Sequence, residues 1–149
     1  MTPVFQTIID PENGDCERAC VATILDLPIE DVPNFVEKDC VWWERDWIVA
    51  RGYAIIEPKR ETGPHDYVYT GLRNLAAIAT VPSQKYPGGT HVIVVGWRPH
   101  PDHPEHALEC FVVHDPNPGN KPYEDIDKQI IRLVWIVPQM LALLPEAKP

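Results

Sequence analysis

Apolar residues follow two patterns along this chain. From Ala19 to Leu25 every position except Thr23 is apolar. A helix without a polar face belongs in the middle of a domain, so this run predicts a buried central helix. The Gly14-Asp15 pair marks its start. Asp15 takes the N-cap position, where its carboxylate is expected to accept from the free amides of the first turn. The helix should end near Leu27-Pro28. Pro28 to Pro33 reads as a single helical turn, opened by one proline and closed by the other. From about Asp39 a second long helix is expected. Val41, Trp42, Trp47, Ile48 and Val49 would form its apolar face, and Gly52 its left-handed C-cap.

Beyond Gly52 the pattern changes. Tyr53–Ile56, Leu75–Val81, Thr90–Trp97, Ala107–His114 and Gln129–Val137 are short runs rich in Val, Ile and Trp, which predicts strands. Arg98 to His106 holds three prolines and joins two of these runs as a hairpin. Glu57 to Gly71 is polar, with two prolines and two glycines, and reads as a surface loop. The segment Val4–Ile9 is β-rich and leads into a turn at Asp10–Gly14, and the tail after Pro138 reads as one helical turn and then a frayed end. Helices first and an antiparallel sheet afterwards predict an α+β fold with segregated layers. No repeat or linker divides residues 1–149, so one domain is expected.

Composition narrows the function classes. A chain of 149 residues buries about 68–70% of its unfolded surface and can keep a substantial core. No apolar run approaches the roughly 20 residues of a membrane span, and Met1 to Gln6 lacks the order of a signal peptide. The expected location is cytoplasmic, and the cysteines at 16, 20, 40 and 110 are expected to be reduced. A formal charge of −9 opposes binding to nucleic acid and to anionic membranes. A neutral or basic peptide or protein suits that field better. No cofactor is expected. His100 to His106 invites a metal reading, but its prolines give it no rigid support, so it is taken as a surface loop. Trp42, Trp43, Trp47 and Trp97 are assigned to the core and to a cleft wall.

The candidate chemistry starts at Cys16, on the first turn of the central helix, where backbone amides and the macrodipole favour a thiolate. The plainer reading is a small buried residue. A cysteine nucleophile also needs a base, a group that orients the base, and donors for an oxyanion. His91 opens an apolar strand after Gly88-Gly89, and its plainer reading is a strand-end side chain in water. Asp115 follows the next strand and precedes a turn, where Asp before Pro is common on its own account. If the two strands pair, His91 and Asp115 share one open end, about a hydrogen bond apart. His114 is the rival, but alternation sends it to the opposite face. Cys20, four positions beyond Cys16, lies deeper on the same helix.

Gln6, an Asp-Cys at a helix start, an apolar helix, His before an apolar strand and then Asp-Pro together resemble the papain-like cysteine peptidases. Within that group the chain is most similar to the small leader-peptidase domains of bacteriocin exporters and their stand-alone bacterial and phage relatives. The resemblance spans Phe5 to about Gly119. It implies a papain-like fold with Cys16 as nucleophile, His91 as base, Asp115 as orienting carboxylate and Gln6 as oxyanion donor. The implied activity is hydrolysis of a peptide or related amide through a thioester. A papain-like acyltransferase and a non-catalytic binding module are the alternatives. Two features depart from the pattern. Glu17 stands where a small residue is usual, and the ten positions from Gln6 to Cys16 require an extra turn at Asp10–Asn13 to be looped out.

Overall fold

The computed structural model describes residues 1–41, 43–57, 72, 74–103 and 108–139. Its elements are α1 (Cys16–Leu25), a 3₁₀ turn (Ile29–Asp31), α2 (Glu44–Ala50), β1 (Tyr53–Ile56), β2 (Ala77–Pro82), β3 (Thr90–Pro99), β4 (Leu108–His114), α3 (Ile126–Gln129) and β5 (Arg132–Pro138). The strands form one antiparallel sheet in the order β1-β5-β2-β3-β4. The expected α+β class therefore holds, with the helices of the first third preceding the sheet. Among the described residues no helix is long and apolar enough to cross a membrane.

Burial sorts the residues by sheet face. Cys20, Val21 and Ala22 of α1 pack with Trp47 and Ile48 of α2 against Ile78, Val94, Val134 and Ile136. The other face gathers Ala77, Ala79, Ile93, Val95, Leu133 and Trp135 with Ile126 of α3. Period-2 alternation accounts for both sets at once: Val94 faces α1, while Ile93 and Val95 face away. The Cys20 thiol also meets the Val92 carbonyl at 3.4 Å, which docks α1 onto β3.

Several boundaries differ from the pattern-based expectation. The central helix stops at Leu25, because Asp26 turns left-handed (φ 57°) and its amide closes back onto the helix. Helix α2 is shorter than expected and starts at Glu44; Trp43 before it is extended. As a result Val41 is 88% and Trp43 80% exposed, and neither belongs to a buried face. Gly52 does take the left-handed conformation, at φ 82°. The last strand begins at Arg132, since Ile126–Gln129 coil into α3 after a left-handed Asp125. Trp97 stacks on Trp135 in the core away from α1. Trp42, the loop at 58–71, much of the hairpin tip at 104–107 and the tail at 140–149 lie outside the described residues.

Candidate active site

Cys16 is the first residue of α1. The residue before it acts differently from the expected cap. Asp15 is fully buried, and its side chain makes no hydrogen bond to the first helical turn. It reaches backwards and accepts from the Thr7 amide (3.0 and 3.1 Å), the Thr7 hydroxyl (2.7 Å) and the Ile8 amide (2.9 Å). The backbone supplies the helix start instead, the Ala19 amide donating to the Asp15 carbonyl at 2.9 Å. A buried carboxylate needs donors, and two successive backbone amides of an extended segment satisfy it better than solvent at a helix end. The effect is to bind the N-terminal segment to the start of α1.

The interval between Gln6 and Cys16 is looped out by a self-contained turn. Asp10 accepts from the amides of Glu12 (2.9 Å) and Asn13 (2.7 Å). Gly14 closes the loop at a place where a Cβ would sit 2.5 Å from the Asp10 carbonyl oxygen, so only glycine fits. Gln6 is then returned to the site. Its amide N–H donates to the Pro116 carbonyl at 3.0 Å, and its side-chain Nε2 donates to the Ile8 carbonyl at 3.3 Å. Its Oε1 is buried without a partner among the described residues.

His91 and Asp115 come together as the strand pairing requires. Their strands form the β3–β4 hairpin, with an irregularity between Val94 and Val95. His91 Nε2 lies 2.8 Å from Asp115 Oδ1. Burial pulls the His91 pKa down, but hydrogen bonds with Asp115 and with Cys16 outweigh it and raise the value to about 9. Burial likewise opposes ionisation of Asp115, yet hydrogen bonds from His91, the Asn117 amide and Asn120 hold its carboxyl below the ordinary value. Both directions describe one charged pair. With Nε2 engaged by Asp115, the ring nitrogen left for the thiol of Cys16 is Nδ1.

His114 occupies the opposite face, as alternation predicts. Its Nε2 meets the Val4 carbonyl at 2.7 Å and its ring packs edge-on against Phe5. It therefore anchors the N-terminal segment. Cys20 is fully buried, and desolvation followed by the nearby Cys16 pushes its thiol well above the ordinary range. Burial also drives Cys110 up, to about 12. None of the four cysteines is in a disulfide. Among the described residues no group of three His, Cys, Asp or Glu is placed to hold a metal ion.

Cys16 opens into a cavity of about 260 Å³ that Gln6, Glu17, Val36, Tyr86 and Thr90 help to line. A larger cavity, about 710 Å³, runs along β4 past Trp97, Cys110, Tyr123 and Asp115. Asn117 and Asn120 line both. Glu17 also belongs to an ionic cluster. Arg132 of β5 stands 3.8 Å from Glu17, 3.9 Å from Glu44 and 3.1 Å from Glu57. Burial raises the pKa of Glu17, and burial together with the Glu17 charge raises that of Glu44 to about 7.

The structure thus brings Cys16, His91, Asp115 and Gln6 to one place and excludes His114 and Cys20 from it. Asn117, Asn120 and the Glu17–Glu44–Arg132 cluster were not anticipated. Pro116-Asn117-Pro118-Gly119 reads as a plain turn, and only the two asparagines in it and just after it hint at side chains that fold back onto a carboxylate. No protein-family model, curated protein or solved structure matches the chain.

Proposed function

We propose that this chain is a papain-like cysteine peptidase or amidase that hydrolyses a peptide or related amide through a thioester at Cys16. One observation carries the reading: a buried His91 whose Nε2 lies 2.8 Å from the Asp115 carboxylate, with the Cys16 thiol at a helix start near enough to help raise its pKa. A histidine needed only for packing has no use for both partners. In this reading Cys16 is the thiolate and His91 the imidazolium, held in orientation by Asp115. The sulfur attacks the amide carbon. The carbon–nitrogen bond breaks as His91 gives its proton to the leaving amine. Water then attacks the thioester, His91 takes its proton, and the carbon–sulfur bond breaks to release the acid.

The oxyanion of each tetrahedral intermediate needs donors. Gln6 Nε2 carries two hydrogens, of which one goes to Ile8, leaving one to serve with the Cys16 backbone amide. Each such donor contributes about 2.7–4 kcal/mol in comparable sites. Apart from the attacking water, every group these steps require is a side chain or amide of the chain itself.

A peptide vinyl sulfone tests the reading. The wild type should be labelled at Cys16, and Cys16→Ala and His91→Ala should both abolish labelling. His114→Ala should stay reactive, because His114 serves only the N-terminal segment. An unlabelled wild type, or labelling that persists in Cys16→Ala, would sink the proposal.

A further inference from the structure

The loop after β4 grips Asp115 by both carboxylate oxygens. Oδ1 faces His91 Nε2 at 2.8 Å and accepts from the Asn117 amide at 2.8 Å. Oδ2 accepts from Asn120 Nδ2 at 2.9 Å. We propose that Asn120 is a positioning residue for this site: its side-chain amide fixes the plane of the Asp115 carboxylate so that Oδ1 stays aimed at His91. The proposal rests on the reading of Cys16 and His91 as nucleophile and base.

The torsion that turns an aspartate carboxylate is soft, with no sharp rotamer of its own. A carboxylate held at one oxygen can swing about it, and the bond to an imidazole weakens steeply once its angle is lost. The second oxygen is therefore the handle by which orientation is set. Asn120 is itself immobilised. Its Oδ1 accepts from Asn117 Nδ2 at 3.2 Å, and its Nδ2 also reaches the Tyr123 hydroxyl at 3.4 Å. Both of its N–H donors are thereby used, and the flip of the amide is decided. The next residue is clamped in turn: Gln84 accepts from the Lys121 amide (2.9 Å) and donates to the Lys121 carbonyl (2.8 Å). That clamp ties the loop to the β2–β3 turn without touching Asp115.

Of the other titratable groups around the pair, Cys16 supports its charged form and two others stand neutral. Cys16 faces His91 from α1. Burial and the Asp115 charge push the Tyr123 phenol up to about 12, so it stands neutral beside Asn120. Cys20, one turn below Cys16, is held neutral by its burial.

The test is a nuclear magnetic resonance titration of the His91 ring in the full chain. It reads the positioning directly and does not depend on turnover. Asn120→Ala and the nearly isosteric Asn120→Leu should each lower the His91 protonation constant about tenfold, the worth of one hydrogen bond to a charged group. Gln84→Ala loosens the same loop and should reduce thermal stability while leaving His91 at its wild-type midpoint. Asp115→Asn, which removes the charge itself, should lower the midpoint at least as far as either Asn120 variant. The proposal is overturned if both Asn120 variants titrate like the wild type, or if Gln84→Ala produces the same fall. Alkylation of wild-type Cys16 by iodoacetamide at no more than the rate of a free thiol would sink the peptidase reading. An Asn120 effect on His91 measured in that same protein would still establish the positioning.

Discussion

The His91–Asp115 contact joins two groups whose charges depend on each other. His91 releases its proton at about 9 in the fold against 6.5 ordinarily. Its contribution to stability is therefore complete below 6.5 and is lost as the pH rises through 9. Asp115 is lowered from 3.8, so its own contribution is present above that value and fails only in stronger acid. On this basis the wild type should exceed Asp115→Asn by on the order of 3 kcal/mol at pH 6, and the gap should close by pH 10. Urea denaturation at the two pH values measures it, and a gap that does not change with pH would refute the charged pair. Asp15, which is fully buried, holds the N-terminal segment through its hydrogen bonds. Asp15→Ala strands two backbone amides and should cost on the order of 3 kcal/mol, with increased hydrogen exchange at Thr7 and Ile8 as its local sign. Stability loss without that local exchange would show that the pin is elsewhere. Sequence showed Asp15 as a feature of the helix start but misassigned its partners. The N-cap is the local default for such a residue, whereas Thr7 and Ile8 become neighbours only once the Asp10–Gly14 turn has folded.

At the level of elements, the sheet was legible and the helical layer less so. Strands of Val and Ile between turns declare themselves, and β1 matches its expected bounds residue for residue. The hairpin of β3 and β4 carried the most functional information, because its pairing alone fixes which end His91 and Asp115 share. Helix α2 was over-read. Val41, Trp42 and Trp47 fit a helical stripe, but Trp43 is extended and the helix, without a capping side chain, starts only at Glu44. Helix α3 has four residues, too few to show a period. Invisible to pattern altogether was the joint between α1, α2 and β5, where Glu17, Glu44 and Glu57 surround Arg132. Two of these carboxyls, Glu17 and Glu44, are half-buried beside each other, and Glu44 keeps its proton to about 7 instead of 4.5. Holding it folded is thus without penalty below 4.5 and increasingly costly as the pH rises through 7. Glu44→Gln should then be more stable than the wild type at pH 8, by on the order of 2 kcal/mol, with no advantage at pH 4. Denaturant midpoints at the two pH values decide the matter. A loss of stability in Glu44→Gln at pH 8 would mean that attraction to Arg132 outweighs the burial and repulsion.

Across the whole molecule, the site exists because three separate parts of the chain are drawn to one end of the sheet. The N-terminal segment is strapped down at Asp26, Thr23, His114 and Pro116, through Thr2, Val4 and Gln6. Helix α1 brings the thiol on one face. Strand alternation places His91 with Ile93 and Val95 on the other, and the two meet where the ladder ends. Cys16, His91 and Asp115 could be singled out as candidates because chemistry limits which residue types can serve, whereas Gln6 came only from the resemblance. The asparagines and the Arg132 cluster could not be, since such side chains decorate most surfaces. The surrounding field bears on what the cleft would admit. The chain carries a formal charge of −9. Asp10, Glu12 and Glu17 line the Cys16 cavity, with Lys85 set against them. Opposing these carboxylates too is the His91 imidazolium, next to the sulfur itself. Its pairing with Asp115 makes that charge short-ranged, whereas the net negative field extends over a Debye length of about 10 Å at 0.1 M salt. A cationic methanethiosulfonate should therefore modify Cys16 faster than an anionic one of similar size at low ionic strength. Raising the salt to about 1 M, where the Debye length is about 3 Å, should bring the two rates together. Faster reaction of the anionic reagent would show that His91 and Lys85 govern the cleft, and a preference for neutral or basic substrates would have to be abandoned.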